Sequence, residues 1–380
     1  MTHETFFNHT LRAAISAWDR RRFVRRWRAL GQQDRRWVPP YYPALLQAIT
    51  PGREPFLTTA NPQPIYLEAF YRRTTGQSQP GYQMPAIAHL EAEPVAATVL
   101  LDAPSQPGTG HLALLHAINH EESLERLLYE LADLSQHREF IGPTALSAHL
   151  GAGALASHWH ETPPLHTPYT PPYLVELLDR LLEPRQSSQL YHLPIPPTPP
   201  APAGVAQLRP LEPARLANDL LPLLAAASQH PTFAPPDADE AAFLLRWLGL
   251  GPLAGWLAQV QEQPVGFVLL QADLASPLRA VHGGQNPLWQ LWWRGLRPRP
   301  GRHGRLLLGG VLPAWRRQGI GRQLLAAAQG TGRALGWQTL SLGPVLDGSP
   351  AGAFLARHGA VPRQRYQLYH WSAPTGGGWW

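Results

Sequence analysis

Apolar residues follow the same order in two parts of this chain. Glu93–Ser105 and Gln263–Pro277 each open with a polar turn and continue with aliphatic and β-branched residues, a pattern typical of β-strands. Arg305–Leu312 ("RLLLGGVL") is a further apolar run, and its adjacent glycines Gly309 and Gly310 predict a bulge or a close backbone approach. The pattern therefore predicts strands in both parts of the chain.

A helix is predicted directly after the last of these strands. Pro313 ends the apolar run, and the helix is expected to stop at Gly336. Its apolar positions follow helical spacing and are Ile320, Leu324, Ala328 and Leu335. This order places a glycine-rich stretch at the entrance of the helix.

Several segments of the chain occur twice. The stretch "PRQSSQLYHL", Pro184–Leu193, returns as "PRQRYQLYHW", Pro362–Trp371. A third pair, Ile141–Ala156 and Leu342–Ala356, is interpreted as a strand end, a Gly-Pro turn and a helix of small residues. Because all these pairs keep the same order, we infer an internal duplication. Alternating apolar and polar positions predict that the QLYH stretch is the last strand of each copy.

The duplication divides the chain into two predicted domains. We name residues 1–193 the first half and residues 205–380 the second half. A chain of 380 residues is long enough for two domains of about 150–200 residues each. Residues 194–204 between them are rich in proline, which predicts a semi-rigid linker.

Composition narrows the possible functions. The 44% hydrophobic and 15% charged residues predict buried cores. The chain has no cysteine, which excludes disulfides, thiolate metal sites and cysteine nucleophiles. Neither a secretory signal nor an apolar run of about 20 residues is visible, so the expected protein is soluble and cytoplasmic, without a membrane partner.

Charge and histidine content argue against nucleic-acid binding and metal binding. The net charge of +6 suits an anionic ligand but is too diffuse to predict nucleic-acid binding. All 32 basic residues are arginine, which we attribute to codon bias. His158, His160, Glu161 and His166 do not have the spacing of a catalytic zinc site, so no metal is expected.

The two copies differ in length at one place. From Gly304 to Gly343 the second copy spans 39 positions, whereas the first spans 32 from Gly110 to Gly142. The roughly seven additional residues fall on "PAWRRQGIG", residues 313–321. Any structure that these additional residues form is therefore expected in the second half alone.

The insertion has the pattern of an anion site. Gly319 and Gly321 leave backbone N–H groups approachable at the positive end of the predicted helix. Arg316, Arg317 and Arg322 add positive charge around them. A diphosphate is the ligand that suits this pattern best.

These residues also resemble a known family. Val311–Leu325 ("VLPAWRRQGIGRQLL") is similar to the acetyl-CoA-binding motif Q/R-x-x-G-x-G/A of the GCN5-related N-acetyltransferases (GNAT), with Arg316, Gly319 and Gly321 at the motif positions. The resemblance covers residues 205–372, and the first half resembles a degenerate copy. It implies an α/β protein of two tandem acyl-CoA N-acyltransferase-like domains, each a mixed, mostly antiparallel sheet flanked by helices.

The resemblance implies direct transfer of an acetyl group from acetyl-CoA to an amine, without a covalent enzyme intermediate. The backbone near Val311 would bind the pantetheine arm, and the N–H groups from Arg317 to Arg322 would bind the pyrophosphate. The implied donor-binding residues are Val311, Leu312, Arg316, Arg317, Gln318, Gly319, Ile320, Gly321 and Arg322.

The expected catalytic groups of the family are missing at their usual places. The tyrosine that commonly serves as general acid falls on Leu355, and a common asparagine falls on Gly348. Candidate replacements follow the predicted fifth strand or lie in the last strand, and they are Asp347, Ser349 and Tyr366. Asp347 could deprotonate an ammonium, but capping of the following helix is the favoured interpretation, and Ser349 is equally suited to that role.

The resulting hypothesis is an N-acetyltransferase that acts on a small-molecule amine or a peptide, as a monomer or a homodimer. The alternative is a catalytically inactive acyl-CoA-binding sensor or scaffold. Asn286–Arg305, which contains Trp289, Trp292 and Trp293, is interpreted either as a packing lid or as an aromatic wall for the acceptor.

Overall fold

The structure is a computed structural model that describes residues 7–74, 88–102, 106, 108–202, 204–227, 230–249, 251–295 and 301–374. The elements of the first half are β1 (Phe7–Ala13), α1 (Ala17–Gly31), α2 (Tyr42–Ala48), α3 (Pro55–Thr59), β2 (Gln63–Thr74), β3 (Ala88–Asp102), β4 (Thr109–Ala117), α4 (Glu121–Leu134), β5 (Glu139–Thr144), β6 (Ala154–Leu155), α5 (Pro172–Leu181) and β7 (Glu183–Pro194).

The elements of the second half are β8 (Gln207–Pro210), α6 (Leu216–Ala227), α7 (Ala238–Leu248), β9 (Leu253–Val260), β10 (Gln263–Ala272), α8 (Ala275–Ala280), α9 (Pro287–Gly295), β11 (His303–Val311), α10 (Ile320–Ala334), β12 (Thr339–Leu346), α11 (Pro350–Arg357) and β13 (Val361–Ser372). The two series correspond, so the structure has the mixed α/β architecture that the sequence predicts. No helix within these described residues is long and apolar enough to cross a membrane.

One continuous sheet runs through both halves. Its strand order is β1-β2-β3-β4-β5-β13-β7-β12-β11-β10-β9-β8, and the short β6 pairs with β13. The last strand of the second half therefore lies beside β5 of the first half, and β7 of the first half lies beside β12. The QLYH segments are strands, as predicted, but each completes the sheet of the other half.

The exchange is symmetric about the pairing of β7 with β13. These strands are antiparallel, and Tyr366 lies opposite Ser188 near the middle of the ladder. Tyr191 lies opposite Leu342 of β12, and Tyr369 lies opposite Gly142 of β5. Two similar strands that pair antiparallel make a self-complementary contact, as in a twofold dimer.

The helices cover both faces of the sheet. On one face, α4 and α5 enclose a core in the first half, and α10 and α11 enclose a separate core in the second half. On the other face, helices from both halves share a single core in which Trp27 and Leu45 belong to the same apolar cluster as Leu220 and Phe243. Because this core is shared, the halves are joined by packing as well as by the exchanged strands.

The tryptophan-rich segment packs against the first half. Trp293 of α9 stacks on Tyr41, with ring centroids 6.1 Å apart. Trp289 joins the same apolar cluster, whereas Leu288 and Leu291 on the opposite side of α9 are exposed. The packing-lid interpretation is therefore confirmed for Trp289 and Trp293.

Two local expectations are wrong. The helix of small residues expected in Ile141–Ala156 does not form there, because the segment makes turns around Gly153 (φ +100°) and the short β6. The Gly-Pro pairs also lie inside β5 and β12 rather than in turns. The helix that corresponds to α11 is α5, which begins only at Pro172.

The predicted strand–helix unit of the second half is largely confirmed. Ile320, Leu324 and Ala328 are buried on α10, but Leu335 is 50% exposed because the helix ends one residue earlier. The bulge falls not on the glycine pair but at Leu307, where the register with β10 shifts. The close approach is confirmed at Gly310, where a Cβ would lie 2.6 Å from the Cβ of Ala227.

Candidate functional site

The site begins where two parallel strands separate. β11 and β12 pair from His303–Thr339 only as far as Leu306–Leu342, and the bulge at Leu307 turns β11 away from its neighbour. Beyond Leu306, the structure pairs β11 with no described residue of β12. We name this separation the fork. Its β11 edge offers backbone N–H and C=O groups to an extended ligand.

A short loop connects the fork to α10. We name residues 312–319 the Arg/Gly loop. Gly319 is the N-cap of α10 and has a left-handed backbone with φ +82°, a conformation that glycine adopts without strain. The amide of Gln323 donates to the carbonyl of Gly319 at 3.0 Å. The amides of Ile320, Gly321 and Arg322 precede this first helical bond and so have no acceptor within the helix.

The loop combines open amides with positive charge. Its residues 316–319 are exposed, as is Arg322, and the first turn of α10 contains no acidic residue. A Cβ on Gly319 would meet no atom within 4 Å. The Nε of Arg316 donates to the carbonyl of Val311 at 3.1 Å, which braces the loop against the end of β11. The arrangement is that of an anion site at a helix N-terminus.

The corresponding place in the first half has the opposite charge. β4 ends at Ala117, and α4 begins at Glu121 with Glu122 also in its first turn. The side chain of His120 caps this helix by accepting from the amide of Ser123. Two carboxylates at a helix N-terminus repel a diphosphate, so the charge at this end of α4 does not favour an anion as that of α10 does.

Asp347 lies just beyond β12 and is held by the first half. The Ser187 hydroxyl of β7 donates to the Asp347 carboxylate, and the Asp347 amide donates to the Ser187 carbonyl at 3.1 Å. Asp347 is exposed. The exchanged strand therefore positions this carboxylate, whose own environment is open to water.

Ser349 and Tyr366 have structural partners. Ser349 is the N-cap of α11, and its hydroxyl accepts from the amide of Gly352 at 3.2 Å. Tyr366 is 0% exposed, and its hydroxyl donates to the Oε1 of Gln364 at 3.3 Å. Burial raises the pKa of Tyr366 to about 12, although the nearby Arg305 charge opposes the shift. The Tyr366 hydroxyl therefore lies in the core rather than in the fork.

Arg305 is a buried residue of this region that the sequence did not single out. It is 4% exposed, and burial lowers the pKa of its guanidinium to about 10. The guanidinium donates to the carbonyl of Leu165 in the first half and to the carbonyl of Gly343 in β12 at 3.2 Å. Arg305 thus connects a first-half segment to both strands of the fork. The only signal in the sequence that could have identified Arg305 was a single arginine in an apolar strand.

The histidine-rich segment, residues 158–166 of the first half, contacts protein groups instead of forming a metal site. Glu161 accepts from the Nε of Arg363 at 3.0 Å. His166 is half-buried, and desolvation together with the nearby Arg305 charge lowers its pKa to about 3. Among the residues that the structure describes, no group of three or more histidines and carboxylates is placed to hold a metal ion.

Known folds of the same architecture exist. The chain is similar to a tandem GNAT protein from the clavulanic acid biosynthesis pathway, with a TM-score of 0.55, 13% identity and coverage of 97% of this chain and 100% of that one. It is also similar to a GCN5-related N-acetyltransferase from Sphaerobacter thermophilus, with a TM-score of 0.50, 14% identity and 96% of each chain covered. At such identities the likeness shows the fold alone, which is a tandem GNAT fold.

A third solved structure is the GCN5-related glucosamine N-acetyltransferase region of a fungal multi-domain GH3 β-N-acetylglucosaminidase. The TM-score is 0.53 at 12% identity, and the match covers 96% of this chain and 38% of that chain. A search of curated protein sequences finds no match.

A comparison with protein-family models matches part of the chain. The model of the Acetyltransferase (GNAT) family matches residues 220–360, a segment that contains the fork, the Arg/Gly loop and Asp347. Residues 220–360 therefore match the GNAT family, and the chain as a whole has the tandem GNAT fold.

Proposed function

We propose that the second half transfers an acetyl group from acetyl-CoA directly to an amine. The observation that carries this proposal is the junction of the fork with the Arg/Gly loop inside the segment that the family model matches. A fork accepts an extended chain between two strands, and the adjacent helix N-terminus accepts a diphosphate. CoA has both parts in this order.

The donor-binding residues follow from this placement. Val311 and Leu312 would bind the pantetheine arm at the end of β11, where Arg316 braces the loop. The amides from Arg317 to Arg322 would bind the diphosphate. Gln318 donates to the carbonyl of Ala314 at 3.3 Å, which supports the loop from within. The proposed set is Val311, Leu312, Arg316, Arg317, Gln318, Gly319, Ile320, Gly321 and Arg322.

Asp347 is the proposed proton acceptor. An amine attacks a thioester only as the free base, so a proton must leave the ammonium before or during attack. The carboxylate of Asp347 is exposed beyond β12 and is oriented by Ser187. Ser349 and Tyr366 stay predictions, and their hydrogen bonds to Gly352 and Gln364 favour a structural role for both.

Thiol release tests this function directly. Because the chain has no cysteine, a thiol reagent detects only the CoA that the reaction releases. We expect release from acetyl-CoA to depend on an added primary amine, supplied as a panel of small amines and short peptides. Asp347→Asn should reduce the rate by roughly 10²-fold or more, without weakening acetyl-CoA binding.

The control for this assay is Asp237→Asn, because Asp237 caps α7 through the amide of Glu240 and lies outside the proposed site. Amine-independent release, or no release with any amine while acetyl-CoA binds, would contradict the proposed transfer. The second result would instead favour the sensor or scaffold alternative.

A further inference from the structure

The exchanged strand brings a first-half side chain to the donor face of the second half. Tyr191 of β7 lies opposite Leu342 of β12, and Leu342 in turn pairs with Leu306 at the last position before the fork opens. The Tyr191 ring belongs to the apolar cluster that α10 and α11 cover. Tyr191 is therefore at the level of the fork, on the face that carries the Arg/Gly loop.

The first turn of α11 leaves room for the Tyr191 hydroxyl. A Cβ on Gly352 would lie 3.0 Å from this oxygen, which is tighter than nearly all contacts that a real Cβ makes. Glycine inside a helix costs about 0.5–1 kcal/mol relative to alanine. The close approach of the hydroxyl gives a physical reason for glycine at this buried position.

The equivalent tyrosine of the other half provides a direct comparison. Tyr369 lies opposite Gly142 beneath α5, and its hydroxyl donates to Asp179 of that helix at 2.6 Å. Burial and this hydrogen bond both raise the pKa of Tyr369. The side chain is 0% exposed. Tyr369 is thus a fully satisfied structural residue.

Tyr191 lacks such a partner. Its hydroxyl makes no hydrogen bond to any residue that the structure describes, and α11 ("PAGAFLAR") contains no carboxylate to match Asp179. Tyr191 is also 9% exposed, against 0% for Tyr369. The Tyr191 hydroxyl is not among the fully enclosed side-chain atoms without a partner, so water or a ligand can reach it and complete its hydrogen bond.

We propose that Tyr191 belongs to the acyl-donor site and that its hydroxyl contacts the sulfur end of CoA. The inference rests on the proposed acetyl transfer. As the bond from the acceptor nitrogen to the acetyl carbon forms, the carbon–sulfur bond breaks and the sulfur leaves with its electron pair. The Tyr191 hydroxyl gives that sulfur a proton. The ammonium loses one proton to Asp347 before the attack, and the second proton, which the nitrogen loses as the amide forms, passes to solvent, from which Tyr191 recovers its own.

The first half thereby contributes a chemical group to a reaction that the second half carries out. Tyr191 and Ser187 lie on the same exchanged strand, so this strand would supply the hydroxyl for the leaving group and orient the carboxylate for the amine. A degenerate half without an anion site of its own then still has a function in catalysis.

Binding of CoA and of desulfo-CoA tests the contact without an acceptor. The two ligands differ only at the sulfur, so their affinity ratio measures what the protein gains from that atom. We expect the wild-type chain to prefer CoA by roughly 3- to 10-fold, the value of one net hydrogen bond. The preference should grow as the pH approaches about 8.5, where a thiol ionises.

Tyr191→Phe and Tyr369→Phe form a matched pair of variants. Tyr191→Phe should abolish the preference for CoA and, in the thiol-release assay, lower turnover by on the order of 10²-fold at unchanged affinity for desulfo-CoA. Tyr369→Phe loses the Asp179 hydrogen bond and so controls for stability; it should keep both the preference and the turnover.

The possible outcomes separate the inference from the function on which it rests. If Tyr191→Phe keeps the wild-type preference for CoA, the proposed contact is wrong while acetyl transfer stands. If the wild-type chain binds neither CoA nor desulfo-CoA, the proposed function is wrong, and this inference is wrong as well.

Discussion

Gly319→Glu is expected to reduce the affinity for acetyl-CoA at least 100-fold. The substitution places a carboxylate at the N-cap of α10, beside the amides that the diphosphate would use. Two like charges about 4 Å apart repel by roughly 4 kcal/mol at an effective dielectric constant near 20, and each 1.4 kcal/mol changes a dissociation constant about tenfold. Calorimetric titration of acetyl-CoA measures the loss.

Gly336→Glu is the matched control for this variant. Gly336 also has a left-handed backbone, with φ +80°, and a Cβ there would likewise meet no atom within 4 Å. It lies just past the opposite end of α10. In both variants, a non-glycine residue in a left-handed backbone destabilises the fold by a similar amount, about 1–2 kcal/mol. Gly336→Glu should nevertheless bind acetyl-CoA normally. Equal loss in the two variants would show strain rather than charge at the donor site.

Deletion of β13 is expected to unfold both halves and not the second alone. Truncation after Ala360 removes Tyr366, Leu368 and Tyr369, which are buried, and leaves β5 and β7 without their neighbour. Large buried side chains contribute about 3 kcal/mol or more each, and a domain has a net stability of only about 5–15 kcal/mol. Circular dichroism and limited proteolysis of the truncated chain measure the effect.

A chain that ends after Pro374 is the control for the truncation, because it keeps all of β13. It should fold as the full chain does. A protease-resistant first half in the chain truncated after Ala360 would contradict the strand exchange, because β5 would then be stable without β13.

Local sequence patterns predicted the elements but not the exchange. The strands at Glu93–Ser105 and Gln263–Pro277 correspond to β3 and β10, because apolar runs between polar turns are a local property. The QLYH stretches are nearly identical, so either could complete either half with the same local preferences. Only the global arrangement of the sheet decides that β7 pairs with β12.

The site was predictable where its residues are neighbours in sequence. The glycines and arginines of the Arg/Gly loop follow one another along the chain, so their pattern alone predicts an anion site. Tyr191 and Arg305 depend on contacts with distant segments, namely α11 and the carbonyl of Leu165. The sequence assigns Tyr191 to a structural repeat, and its missing hydrogen bond and its slight exposure distinguish it from Tyr369 only in the structure.

The number of acetyl-CoA molecules that each chain binds tests the central claim most directly. Calorimetry on the full chain should give one site, because α10 has open amides and positive charge at its N-terminus whereas α4 has Glu121 and Glu122. That one site should disappear in Gly319→Glu. Two sites per chain, or none, would contradict the account that the second half alone binds the donor.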